Sequence, residues 1–223
     1  MRLSRRVPGS CGWPPEENGA ISGEDGSAVT RPALPVMDET RYRVPVSEGG
    51  RVEVTRTYLE MTRPDQLVAA HSREPGLRVE RAWSCPASFY RYLYAEVGRA
   101  YQWVDRLDWS DERIRRHLAQ EGTSLYLLHV LGSPGGYFEL QRHDDGSTEI
   151  AYFGLLPEFI GRGLGKHLLT CAVERAFQDG AKRVWLHTCT LDAPAALPNY
   201  ERRGFRAFRS EKYWADASGR ELR

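Results

Sequence analysis

The chain has 223 residues, is 41% hydrophobic and carries a formal net charge of +1. That is enough apolar chain for one domain with a sizeable core, and the near-zero charge gives no electrostatic case for nucleic acid or an anionic membrane as partner. No apolar run is long enough to cross a bilayer, and the opening M-R-L-S-R-R reaches Pro-Gly without the apolar core of a signal peptide.

Residues 1–40 are rich in Pro, Gly, Ser, Glu and Asp and show no hydrophobic period. Such a composition cannot bury enough apolar surface to offset its ordering entropy, so it reads as a disordered extension ahead of a domain over 41–223. Cys11, Cys85, Cys171 and Cys189 are scattered without C-x-x-C spacing, which predicts free thiols in a reducing cytosol and a cytoplasmic protein.

From Arg51 the pattern changes. Arg51–Met61 alternates and is rich in β-formers, a first strand. Residues 64–70 read as a short helix, 77–83 as a strand and 88–97 as a helix. Ser110-Asp111-Glu112 marks the capped, acidic start of another helix reaching about Gln120. Three β-runs follow over 124–130, 136–142 and 148–155, joined by Gly132-Ser133-Pro134-Gly135 and His143-Asp144-Asp145-Gly146, both good hairpin connections. A long helix comes next, with Leu164, Leu168, Leu169, Ala172, Val173 and Ala176 forming one apolar stripe and Gly180 ending it. Residues 183–189 read as a strand, 195–202 as a short helix and 205–214 as a last strand.

The segment that carries chemistry is the strand before the long helix, together with the turn Ile160-Gly161-Arg162-Gly163-Leu164-Gly165-Lys166. A strand feeding a glycine turn that opens a helix suits a phosphate, because unpaired N–H groups of the first turn point at the ligand. Two familiar phosphate motifs fail here. The Walker spacing from Gly161 to Lys166 is one short and His167 follows the lysine, while the third glycine of a dinucleotide fingerprint is Leu168.

The turn resembles the acetyl-CoA signature Q/R-x-x-G-x-G/A of the GCN5-related N-acetyltransferase superfamily, with Gly163 and Gly165 as its glycine pair and Ile160 in place of the leading Gln or Arg. Tyr200-Glu201-Arg202-Arg203-Gly204-Phe205 is similar to the superfamily's Y-x-x-x-G-F signature downstream. The resemblance implies a layered α+β fold, α/β/α, whose mixed and mostly antiparallel sheet has a splayed central strand pair. It also implies that acetyl-CoA is the co-substrate. The pyrophosphate would lie on Ile160, Gly161, Arg162, Gly163, Leu164, Gly165 and Lys166, and the pantetheine arm along Phe153, Gly154 and Leu155, one of whose amides would face the developing oxyanion. Many relatives place a cofactor-contacting Asn near Asp192; here Asn199 takes that role.

The same resemblance assigns the catalytic groups. Tyr200 becomes the acid that protonates the departing thiolate. Glu149, fourteen residues before Gly163, becomes the leading base, with His187 on the next strand second. The aromatic tract between Phe89 and Trp109 supplies the acceptor wall, where Tyr101, Trp103 and Asp105 suit an organic ammonium. No metal is expected, since His187 and Cys189 alone give too few ligands. The reading is an acetyl-CoA-dependent N-acetyltransferase of a small-molecule primary amine, acting by direct attack in a ternary complex, with homodimer formation left open. The alternatives are acetylation of a protein lysine or N-terminus, and a non-catalytic acyl-CoA-binding regulatory domain.

Overall fold

The computed structural model describes residues 50–216 and 218–222; the extension expected over residues 1–40 lies outside the described residues. Seven strands form one sheet in the order β2-β3-β4-β5-β6-β1-β7. They are β1 (Arg51–Met61), β2 (Leu77–Arg81), β3 (Thr123–Val130), β4 (Ser133–Arg142), β5 (Ser147–Leu155), β6 (Arg183–Cys189) and β7 (Arg206–Asp216). The helices are α1 (Ala87–Gly98), α2 (Asp111–Leu118), α3 (Leu164–Gln178) and α4 (Ala196–Arg202). This is the expected layered α+β fold. Helix α3 packs on one face of the sheet, against β4, β5 and β6, and α1 packs against β4 and β5 with α2 beside it.

Local chemistry explains the elements. The predicted stripe of α3 is wholly buried, each of its six residues showing 0% exposure. Ser110 caps α2, its hydroxyl accepting from Arg113 N at 3.2 Å, with Asp111 and Glu112 in the first turn and Arg115, Arg116 and His117 in the last, where the helix dipole favours each sign. The helix expected over 64–70 shrinks to a 3-10 turn, Pro64–Gln66. The β3–β4 turn is also shorter than expected: Leu131 and Gly132 both have positive φ (51° and 87°), a two-residue hairpin, so β4 starts at Ser133 and Pro134 lies inside the strand beside a register shift.

Two irregularities shape the middle of the sheet. β5 pairs with β4 nearly throughout, but its pairing with β6, the sheet's parallel pair, runs only from Ser147↔Arg183 to Glu149↔Trp185. Beyond Glu149 the strands part, leaving one edge of β5 without a strand neighbour. In the β4–β5 ladder, Leu140 faces Ile150 but Glu139 faces Tyr152, so Ala151 is the extra residue of a bulge. The bulge turns Tyr152 and Gly154 to the α1 side, on the same face as Glu139.

Glu139 is the charge on which that face is built. It is fully buried and meets Arg106 Nη1 at 2.8 Å, His117 Nε2 at 2.9 Å, the Tyr90 hydroxyl at 2.8 Å and Gln141 Nε2 at 2.9 Å. Burial alone would push its carboxyl up, but the His117 hydrogen bond and the Arg106 guanidinium outweigh that and hold its pKa at about 2. Arg106, itself 7% exposed, lies 4.2 Å over the Tyr152 ring, so this one pair ties the loop between α1 and α2 to the sheet.

Removing one partner of a buried pair leaves the other uncompensated, so Glu139→Gln should destabilise the domain by about 3–5 kcal/mol in denaturant melts. Because the folded pKa lies below the ~4.3 of an unfolded glutamate, the stability that Glu139 contributes is present above about pH 4.3 and is lost as pH falls through its folded value. Wild-type melts should therefore weaken across that window, and the substitution should remove that part of the pH dependence. Unchanged stability of Glu139→Gln would contradict the role given to the pair.

Candidate active site

The parting of β5 and β6 opens a cleft of about 470 Å³. One wall is the free edge of β5, where Phe153, Gly154 and Leu155 line the cavity. Phe153 points to α4, its ring 6.2 Å from that of Tyr200. Gly154 faces α1, and a Cβ there would lie 2.3 Å from Val97 Cγ1. The close approach that requires this glycine is thus by helix α1.

The glycine turn forms one end. Ile160, Gly161, Gly163, Gly165 and Lys166 line the cleft. Gly161 and Gly163 hold φ of 86° and 75°, and no side chain caps α3, so the N–H groups of its first turn point out without side-chain partners. The Lys166 side chain folds back over the turn, its Cε 3.3 Å from where a Gly163 Cβ would be. Two predicted members fall outside the cavity lining. The Arg162 side chain pairs with Glu74 and lies 5.3 Å from the Phe159 ring, and Leu164 is fully buried in the core stripe. Only their backbone belongs to the turn.

Tyr200 and Asn199, on α4, also line the cleft. Gly204 sets this helix, with φ of 101° and no room for a Cβ, which would meet Gln66 O at 1.9 Å. Tyr200 is 8% exposed, packs beside Phe153 and Phe205, and burial pushes its phenol well up, so it stays protonated and able to donate. Asp192 accepts from Thr188 Oγ1 at 2.7 Å and Cys189 N at 2.9 Å, which commits its Oδ2 to holding the loop after β6.

Tyr101, Trp103 and Asp105, from the loop after α1, also line the cleft. Gly98, the last residue of α1, lets Trp103 settle against the helix, since a Cβ there would meet Trp103 Cβ at 2.4 Å. Trp103 then stands edge-on to Tyr152 at 5.0 Å and 5.7 Å from Tyr94. Across from this loop lie Arg56 of β1, Tyr213 of β7, and Gly219 and Glu221 of the turn after β7. None of these four was singled out by the sequence reading, because strand order alone brings β1 and β7 here.

Glu149 and His187 come together, but unequally. Glu149↔Trp185 and Tyr58↔His187 are register pairs, so Glu149, His187 and Tyr58 share one face. His187 lines the cleft and its side chain is 41% exposed; Glu149 does not line it and sits behind, its Oε1 3.9 Å from His187 Nε2 and its Oε2 3.3 Å from His143 Nε2. Burial, then the charge of Arg56, lower the His187 pKa below the ordinary value, and burial raises that of Glu149 against the pull of His143. Of the two candidate bases, His187 is the one that faces the cavity.

The described residues also bring together three side chains whose proximity spacing concealed. Side-chain atoms of His71, His167 and Cys171 lie within 4.8 Å of one another. Cys171 is disulfide-bonded, which departs from the expected free thiol, whereas Cys85 and Cys189 are free and Cys11 lies outside the described residues.

The family described as "Acetyltransferase (GNAT) family" matches residues 87–205, more than half of the chain. The chain belongs to the GNAT acetyltransferase family. Acetyl-CoA-dependent acetyl transfer is the general chemistry of that family, and the free β5 edge and uncapped glycine turn are groups that fit such a ligand. A mycothiol acetyltransferase of Corynebacterium aurimucosum is 29% identical over 130 residues, 52% of this chain and 42% of that protein. A GCN5-related N-acetyltransferase from Kribbella flavida superposes with a TM-score of 0.54 at 23% identity, over 75% of this chain and 60% of that one. One from Sphaerobacter thermophilus gives 0.55 at 20% identity, over 75% and 53%. These two likenesses show a shared fold, and the chain spans less than two thirds of each of the three proteins.

Acetyl-CoA should raise Tm, by an amount equivalent to about 2.7 kcal/mol at a hundredfold excess over Kd. Gly165→Asp should abolish the rise without unfolding the protein. A Cβ there meets nothing closer than Leu155 Cδ1 at 3.9 Å, and an acid in the first helical turn favours the helix while repelling a pyrophosphate. A folded Gly165→Asp protein with the full shift would show that the phosphates bind elsewhere.

Proposed function

We propose that the protein transfers the acetyl group of acetyl-CoA to the primary amine of a small molecule, both substrates being bound together. The observation that carries this reading is the wall built on the acceptor side of the cleft. Gly219, after β7, reaches so near the loop following α1 that a Cβ on it would lie 2.6 Å from Gln102 Cβ. The two loops therefore meet on this side of the cleft, whose lining includes Tyr101, Trp103 and Asp105, and such a wall suits a small organic ammonium better than a protein tail lying along a groove. The name of the mycothiol acetyltransferase points the same way, to a small molecule rather than a protein.

Acetyl-CoA supplies an activated carbonyl and a thiolate leaving group. The protein's own residues divide the remaining work. The free backbone of residues 153–155 holds the pantetheine arm by strand-like hydrogen bonds, and one of those amides faces the carbonyl oxygen as it gains charge. Asp105 and the Trp103 face hold the incoming ammonium. His187, neutral at pH 7 because its pKa is lowered, accepts the proton from the amine at an imidazole nitrogen. Glu149 stands behind it and stabilises the charge that His187 gains. The Tyr200 hydroxyl gives its proton to the departing sulfur as the C–S bond breaks, and the second proton that the new amide nitrogen sheds restores the phenol.

The test is acetyl transfer to a panel of amines, read by free-thiol release and product mass. Tyr200→Phe should lower kcat by about 10²–10⁴-fold with acetyl-CoA affinity nearly unchanged. His187→Ala should slow the reaction by a similar factor near neutral pH and recover as rising pH deprotonates the amine. In wild type the acid limb of kcat/KM should fall below ~6.5, the ordinary histidine value. A larger loss in Glu149→Gln than in His187→Ala would return the base role to Glu149, and full activity of Tyr200→Phe would leave that residue a packing role.

A further inference from the structure

We propose that the acceptor is an amine that also carries an anionic group, a carboxylate or a phosphate monoester, and that Arg56 is the residue that binds this anion. The inference rests on the N-acetyltransferase reading above and adds the second functional group of its substrate.

Arg56 stands on the acceptor side of the cleft. Its register partner on β6 is Cys189, two residues beyond His187, whose own partner is Tyr58; residues two apart on a strand share a face. Arg56, Tyr58 and His187 therefore project together. The other cationic residues of the cleft lining, Lys166 and Arg202, belong to α3 and α4 at the end that holds the cofactor. Arg56 is the cation among the lining residues on the opposite side. It acts electrostatically on His187, as do Asp192, Asp105 and Glu211. A molecule whose ammonium lies at Asp105 beside His187 thus has a positive charge within reach for its other end.

The contacts that Arg56 makes now are the kind a substrate can replace. Its Nη1 is 3.3 Å from Glu211 Oε1 and its Nη2 is 3.3 Å from Glu221 Oε2, both longer than the ~2.7–2.9 Å of a well-formed charge-assisted bond. Glu211 has better partners, accepting from the Tyr58 hydroxyl at 2.6 Å and pairing with Arg209. Glu221 is 51% exposed and sits on the turn after β7, where Ala215↔Glu221 is an isolated bridge. Meanwhile the guanidinium lies over the Tyr213 ring, its Cζ 4.5 Å from the centroid, and carries the fork that carboxylates and phosphates accept in pairs. Glu221 is a carboxylate resting on an arginine inside the acceptor cavity, and it occupies the place of the substrate's own anion.

Matched amines test this: ω-amino carboxylates and ω-amino phosphate monoesters, each beside its uncharged amide or alcohol. Wild type should favour the anionic members by at least about tenfold in kcat/KM, mostly through KM, and the carboxylate and phosphate arms tell which anion is used. In Arg56→Gln the preference should collapse towards unity while the Tm rise with acetyl-CoA persists, and Arg56→Lys should keep part of it. Glu221→Gln, on the exposed turn, should lower KM for the anionic amines alone. Equal use of both members by wild type, or an intact preference in Arg56→Gln, overturns the assignment and leaves the acetyltransferase reading standing. If acetyl-CoA binds but no amine of either kind is acetylated, the underlying reading fails and this inference with it.

Discussion

Strand β5 has a partner on one side for nearly its whole length and on the other for only three residues, Ser147 to Glu149. The function proposed here depends on that interrupted pairing. A buried backbone edge must find hydrogen bonds somewhere, and the edge left free beyond Glu149 lies in the cleft, between the glycine turn and α4. The parting of β5 from β6 also sets His187, on the departing strand, across the opening from Phe153 and Gly154. On the function proposed, one break in a ladder would supply both the slot for a thioester and the gap in which an amine could meet it.

The break alone would leave the acceptor side open. It is walled because the α1–α2 loop is pinned at Arg106, which reaches the fully buried Glu139. Such a pair contributes less by attraction than it would cost to disrupt. Here it also fixes register, since the Ala151 bulge must be present for Tyr152 to lie beneath Arg106. From that anchor the chain carries Trp103 onto Gly98 and presents Gln102, at φ of 55°, to Gly219. Packing, electrostatics and the shape of the acceptor end are one construction.

Much of this was legible in the residues. The α3 stripe, the glycine turn and the Tyr200–Phe205 segment are local patterns, and local patterns survive in sequence. What could not be read was anything decided by the ladder. Glu149 and His187 each carry suitable chemistry, but only the strand register shows that His187 reaches the cavity and Glu149 stands behind it. Arg162 looks like part of a phosphate turn until Glu74, far upstream, claims its side chain. Nothing local to Gly154 announces that Val97 packs where its Cβ would be. Arg56 and Glu221 are 165 residues apart in the chain, and their meeting follows from β1 inserting between β6 and β7, which no periodicity announces.

The central claim, that the free edge of β5 and the turn before α3 form one acetyl-CoA slot, is open to direct measurement by amide hydrogen exchange, which reports backbone protection residue by residue. With acetyl-CoA added, the account predicts slowed exchange in two separate stretches, residues 150–155 and 161–166, with β3 on the far side of β4 unchanged. Binding without protection of either stretch, or protection confined to strands already fully paired, would contradict it.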